Sequence, residues 1–341
     1  MTTANILSQL GSAGVSTGFK NRIINGAMVI DQRNAGASVT PASGAGSYTV
    51  DRFFVYVNQA SKLTAQQNAG SVTPPVGFSK YLGITSSSAY SLGATDVFQL
   101  TQSIEGNNTY DLAWGTANAK TVTLSFQVYS SLTGTFGGAI LNYAQTRSYP
   151  FSYTISSANT WTTISITIAG DTGGTWVGAS SAGALTVSWG LGVGSTYSGT
   201  AGSWSGSTYY SSTGATSVVG TNGATFYITG VQLEVGTTAT NFDYRSYGTE
   251  LALCQRYYQT FNLATNYTWV TGSGLQTTPF YCAFPVVMRA TPTYTTGFAN
   301  VDSAAEGSSN ITAAGLRLSI YNANSTGYGY ATFNPKITAE L

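Results

Sequence analysis

Residues 121–130 read TVTLSFQVYS, which sets Val122, Leu124, Phe126 and Val128 on one face of an extended segment and Thr123, Ser125, Gln127 and Tyr129 on the other. A period of two with one apolar face belongs to a strand whose sheet packs on a second sheet. Residues 161–170, WTTISITIAG, repeat the pattern with Ile164, Ile166 and Ile168. Helix is disfavoured elsewhere, because Glu, Lys, Arg and Leu are scarce while β-branched, aromatic and Gly residues dominate. An all-β chain is expected, with sandwich strands near 22–31, 52–59, 97–104, 121–130, 138–143, 160–168, 185–191 and 225–235.

What covers such a sandwich is unusual. Only 13 Lys and Arg and 12 Asp and Glu occur in 341 residues, 7% of the chain, against roughly 25% in an ordinary soluble protein. Ser and Thr number 91, Gly 40 and Tyr 23, so hydroxyls, amides and phenols must face the water. A net charge of +1 with no basic run leaves nothing to neutralise a line of phosphates or to hold a membrane surface, which argues against nucleic-acid binding and membrane insertion. With no His there is no Ser-His-Asp triad and no His-metal site. Apolar residues at 42% exclude disorder. Residues 1–10 lack the charged flank and continuous apolar stretch of a signal peptide, which leads to the expectation of a soluble, non-secreted product. Cys254 and Cys282 are too few for a disulfide scaffold; they can pair, but two buried thiols are the preferred reading.

Length beyond what one core usually organises suggests two units. Residues 1–20 end in the flexible GSAGVSTG and read as an arm or docking segment; 21–245 form the large sandwich; 246–261 are the one convincing helix; 262–341 form a smaller β domain. In that last unit strands are expected near 267–271, 278–285, 293–296, 316–322 and 328–333. In SYGTELALCQRYYQTF, Thr249 is the expected cap, with Leu251, Cys254 and Tyr258 at i, i+3 and i+7 and Leu253 with Tyr257 on a second stripe. Two apolar stripes suggest that one packs on the sandwich and the other meets copies of itself.

Three stretches, NRIINGAMVIDQRN (21–34), YTVDRFF (48–54) and FYITGVQLEVGTTATNFDYRSYGTELALCQRYYQTF (226–261), resemble tail fibre proteins of tailed bacteriophages. More loosely, the order NGAM, FQLTQSI, AKTVTLSFQVY, WTTISITI and FYITGVQLEVG is similar to a jelly-roll carbohydrate-binding module. The resemblance implies an all-β chain with a jelly-roll β-sandwich, a short helix and a smaller C-terminal β domain. It also implies a homotrimeric fibre component in the virion tail, joined to other tail proteins through its N-terminal arm and displaying its domains to host surface polysaccharide. A purely structural connector or decoration protein is the alternative. Recognition without charge suits a particle exposed to varied ionic conditions, and sugars are held by aromatic faces with hydroxyls and amides fixing orientation.

The stretch 192–223 exceeds thirty residues with little apolar periodicity yet carries Tyr197, Trp204, Tyr209 and Tyr210, which makes these the leading carbohydrate-binding candidates. Trp176 on its Gly-rich turn is a fifth. The loop is expected to leave one end of the sandwich and to need a ligand or another chain to order it. Leu251, Cys254 and Tyr258 are the expected oligomerisation residues. No catalytic residue is expected: glycosidases need two carboxyl groups at about 5 to 9.5 Å, and the acids here are scattered singly apart from Asp302 and Glu306, read as an exposed loop. No cofactor is expected. A structural calcium could draw on Asn25, Asp31, Asp51 and Asp243, but no Asp-rich loop with ligand spacing is present, so no metal is assigned. Asp51 and Arg52 can equally form a buried polar pair.

Overall fold

Alternation along each strand builds two facing antiparallel sheets in a computed structural model that describes residues 20–261, 263–269, 277–295, 297–300, 304–322 and 327–341. One sheet has six strands in the order β1 (Ser47–Tyr48), β2 (Phe54–Val57), β5 (Val97–Glu105), β10 (Gly183–Val193), β7 (Gly134–Asn142) and β8 (Ser148–Ile155). The other has five, in the order β3 (Leu63–Gln67), β4 (Leu82–Ser86), β13 (Thr225–Val235), β6 (Val122–Ser130) and β9 (Thr162–Ile168). Inward residues of both sheets make one core: Phe98, Leu100, Val187 and Trp189 on the first, Leu124, Phe126, Val128 and Phe226 on the second. Every other residue along these strands therefore faces outward. The architecture is an all-β jelly-roll sandwich with a single short α-helix among the described residues.

The expected strand at 22–31 is not formed. Asn25 (φ 60°) and Met28 (φ 59°) take left-handed backbone. The Asn25 amide instead closes a turn, accepting from Ile30 N at 3.0 Å and donating to Ile30 O at 2.8 Å and Asp51 O at 2.9 Å. The stretch covers the part of β13 that β4 leaves unpaired: Arg22 N donates to Leu233 O and Val231 N to Gly26 O, and a Cβ on Gly26 would sit 2.1 Å from the Val231 carbonyl oxygen. Strands β1, β3 and β4 are short with little alternation and escape the sequence reading, as does β8, although its buried Phe151, Tyr153 and Ile155 alternate with exposed Ser152 and Thr154.

Helix α1 covers only Tyr247–Gln255. Ser246, not Thr249, caps it, its hydroxyl accepting from Thr249 N at 3.3 Å. Tyr258 lies beyond the helix in β14 (Tyr258–Thr260), so it is not on a helical stripe with Leu251 and Cys254. Arg256, the C-cap residue and still in helical backbone, ties the helix end to β5, its guanidinium donating to the Glu105 carboxylate at 3.0 and 2.9 Å. Cys254 is fully buried with Ile24, Ile30 and Tyr257, and Leu251 and Leu253 pack on the same cluster. Both stripes thus find partners within the chain itself. Cys254 and Cys282 are free buried thiols.

Three small sheets follow: β14 with β22 (Lys336–Thr338) and β17 (Thr293–Thr295); β15 (Leu263–Trp269) with β21 (Gly327–Phe333) and β18 (Phe298–Asn300); and β16 (Thr277–Ala283) with β20 (Gly315–Asn322) and β19 (Ala304–Thr312). Glu306, expected in a loop, is in β19, while Asp302 lies outside the described residues, as does the expected arm except for Lys20. The last strand returns to the sandwich, where Glu340 pairs with Arg33 and Arg52. Arg52 therefore pairs with Glu340 rather than with Asp51, whose carboxylate is held by Gln32.

Candidate functional site

The outer face of the six-stranded sheet carries a cleft of about 550 Å³. Its floor comes from outward positions: Tyr56 of β2, Gln99, Thr101 and Ser103 of β5, and Thr186 of β10. The floor is internally tied, Ser103 Oγ lying 3.0 Å from Thr186 Oγ1 and Ser188 Oγ donating to Gln99 Oε1 at 2.7 Å. From β2 to β7 the cleft crosses four strands, or three spacings of about 4.8 Å, which gives a track of about 14 Å across the sheet.

The loop from 192 to 223 builds one wall. It does not project from an end of the sandwich but lies across the sheet through a turn at Ser195–Tyr197 and a two-residue parallel pair, β11 (Ser198–Gly199) with β12 (Ser211–Ser212). Two glycines make the seat: a Cβ on Gly137 would come within 2.4 Å of Ser211 Oγ and Ser212 Oγ, and one on Gly190 within 2.6 Å of Ser211 Oγ. Backbone bonds to its own sheet and loop, such as Thr216 N to Thr135 O at 2.7 Å, hold the loop where apolar contacts are few. The consequence is that Tyr197 and Tyr210 stand side by side over the cleft with ring centroids 5.4 Å apart. Tyr210 OH donates to Gln145 Oε1 at 2.7 Å, and Tyr210 O lies 3.3 Å from Ser188 Oγ. Burial, with the neighbouring phenols of Tyr197 and Tyr56, pushes the Tyr210 hydroxyl above its ordinary pKa, so it stays a neutral donor and acceptor. Tyr143 adds a ring at the rim, 43% exposed and laid over Gly183.

Tyr48 and Arg52 close the other end. Burial acts to lower the Arg52 pKa, but the Glu340 carboxylate together with Tyr257, Tyr48 and Cys254 outweighs it and holds the guanidinium charged. Its Nη atoms are engaged, one pairing with Glu340 and the other donating to Ser103 O at 2.6 Å, and the group stacks 3.5 Å from the Tyr257 ring centroid. No acidic side chain lines the cleft. Its chemistry is therefore that of phenols, amides and hydroxyls, able to bond an uncharged polar ligand and to cover its apolar faces.

The other predicted residues stand elsewhere. Trp204 and Trp176 form an edge-to-face cluster with Trp114, with Trp204 at 5.3 Å from Trp114 and 5.6 Å from Trp176, and with Tyr149 5.3 Å away on its other side. The Trp204 indole donates to Ala169 O at 2.7 Å and that of Trp176 to Asp171 Oδ2 at 3.1 Å. Both pack on the main core. Tyr209 lies over Gly199, outside the cleft lining. Of the five candidates the structure brings two, Tyr197 and Tyr210, into one cleft. Tyr56, Gln99, Tyr143 and Gln145 went unnoticed in the sequence; the signal available was large polar side chains on outward strand positions, as in VFQLTQS and FVYV. Each of the four residues considered for calcium already accepts from protein donors: Asn25 from Ile30 N, Asp31 from Asn34 N and Gly36 N, Asp51 from Gln32, and Asp243 Oδ2 from Lys20 N and Asn21 N.

No protein-family model matches the chain, and no curated protein does. Among solved structures it is similar to a putative sugar binding protein from Bacteroides thetaiotaomicron, at 13% identity over 64% of this chain and 100% of that one, with a TM-score of 0.36. It is similar also to a CBM4 structure, at 16% identity over 62% and 98% with a TM-score of 0.30. A family 11 carbohydrate-binding module from Clostridium thermocellum, solved in complex with a β-1,3-1,4-mixed-linked tetrasaccharide, matches at 12% identity over 60% and 98% with a TM-score of 0.30.

Proposed function

We propose that this chain is a non-catalytic glycan-binding protein that takes a stretch of host surface polysaccharide in the cleft over the six-stranded sheet, as part of a bacteriophage tail fibre. The observation that carries the glycan reading is the cleft itself: a track across four strands, walled by Tyr197 and Tyr210, rimmed by Tyr143 and floored by Tyr56, Gln99 and Thr101, with its one charged side chain already neutralised. Rings cover the C–H faces of sugar units while amides and hydroxyls order their hydroxyls. A glycosidase would need two carboxyl groups at about 5 to 9.5 Å, and the cleft offers no acidic side chain.

Support for the tail fibre, the virion location and a homotrimer is the resemblance of 21–34, 48–54 and 226–261 to tail fibre proteins. Light scattering on the purified protein tests the trimer. A glycan array probed with the purified chain, beside Tyr197→Ala and Tyr210→Ala variants, tests the binding reading. Specific binding by the parent, weakened by about 1 to 3 kcal/mol in either variant on the scale of base stacking on aromatic residues, is expected. An intact, folded protein that binds no glycan and no host cell would instead make it a structural tail protein without its own receptor site.

A further inference from the structure

The five-stranded sheet carries a second groove on its own outer face, of about 410 Å³. Outward residues Ser125 and Gln127 of β6 and Thr163 of β9 form its floor. Gln127 and Thr163, opposite each other in register, exchange two hydrogen bonds, Nε2 to Oγ1 at 2.8 Å and Oγ1 to Oε1 at 3.1 Å. The wall is a trio of rings: Phe78 and Phe242 at 5.1 Å, Phe78 and Tyr244 at 5.6 Å, Phe242 and Tyr244 at 4.9 Å. The trio reaches the sheet because position 230 is Gly at φ +62°, where a Cβ would meet Phe78 Cζ at 2.6 Å. Tyr244 leaves 59% of its surface in water, a large share for a ring. Further along, Tyr129 of β6 and the half-buried Trp161, which immediately precedes β9, continue the aromatic strip, 5.5 Å apart.

We propose that this groove is a second saccharide site, one that binds a neutral glycan chain independently of the cleft on the opposite sheet. Its lining holds no charged side chain, and the Lys20 ammonium at its rim donates to Thr240 Oγ1 and Asn241 O, a single charge that cannot neutralise a line of phosphates. What it presents is a ring wall beside paired donors and acceptors that are neutral at every working pH. A sugar, with an apolar C–H face and a fringe of hydroxyls, matches both at once. Sites on opposite faces of one sandwich engage two polysaccharide strands, so retention on a dense glycan layer rises through effective concentration without new contacts.

Calorimetry and intrinsic fluorescence of the full chain, titrated with neutral hexasaccharides of the gluco-, galacto-, manno- and N-acetylglucosamine series, test this. Two variants divide the sites: Tyr197→Ala with Tyr210→Ala in the cleft, and Gln127→Ala with Tyr244→Ala in the groove. The expected result is that the cleft variant keeps one saturable site, which the groove substitutions weaken about fivefold or more. Because Tyr244 also packs, Gln127→Ala alone, at a half-buried floor position, must reproduce the loss in a protein of unchanged melting temperature. If the groove variant loses every site while the cleft variant loses none, the cleft reading fails and the groove stands. If the cleft variant binds no hexasaccharide, the groove proposal is overturned. It is likewise overturned if Gln127→Ala changes self-association rather than saccharide affinity, since the face is then an interface between copies of the chain.

Discussion

Trp204 decides whether the long loop binds through its tryptophan or is merely anchored by it. Replacing Trp204 with Ala removes three edge-to-face contacts, to Trp114, Trp176 and Tyr149, and the indole bond to Ala169 O. A fully buried Trp→Ala change costs about 3 to 5 kcal/mol, and since Trp204 is half-buried the lower end applies, about 3 kcal/mol. For a domain of this size 1 kcal/mol moves Tm by about 2 to 4 °C, so the variant is expected to melt roughly 6 to 12 °C below the parent. Trp114→Ala, acting on the same cluster, should do at least as much. Differential scanning calorimetry gives the shift, and a glycan or host-cell binding assay at 20 °C gives the affinity, with Tyr197→Ala run alongside as the converse case. Trp204→Ala should keep its binding and lose stability, whereas Tyr197→Ala should do the reverse. A Tm within 2 °C of the parent together with lost binding would refute the packing role and return Trp204 to the ligand.

Gly137→Ala tests the seat of the loop without touching the cleft: the added methyl meets Ser211 Oγ, Ser212 Oγ and the Ser212 amide nitrogen, so about 1 to 3 kcal/mol of overpacking should lift the Tyr197 and Tyr210 wall and weaken glycan affinity, read on the same array. Asp51 supplies a pH signature. Burial, only partly offset by the Gln32 bonds, raises its pKa from 3.8 to about 6. The folded state therefore holds this proton more tightly than the unfolded chain, so its contribution is most favourable below about pH 4, falls through pH 4 to 6 and is constant above, a change of about 3 kcal/mol. Asp51→Asn should gain on the parent in denaturant midpoint as pH rises over that interval, and equal pH profiles for the two would show that Asp51 does not carry the linkage.

Alternation made the fold legible. Strands β5, β6, β9, β10 and β13 alternate because one face meets the opposing sheet, and that constraint is written locally, every second residue. The strand falsely expected at 22–31 is apolar too, but there one Asn and one Met in left-handed backbone convert the segment into a seal whose partners, Leu233, Val231 and Asp51, are distant in sequence. The site shows the same division. Phenols on a glycine-rich loop announced that something in 192–223 meets a surface, yet Trp204 and Tyr197 look alike in a string of letters. Which of them turns inward depends on Trp114 and Trp176 arriving from other segments, and which stands over the cleft depends on two glycines in β7 and β10 that let the loop lie down. Residue type and period thus determined sheets, layers and a charge-poor surface. Only the tertiary structure could choose the binding rings, because burial of a side chain is a property of its neighbours in space.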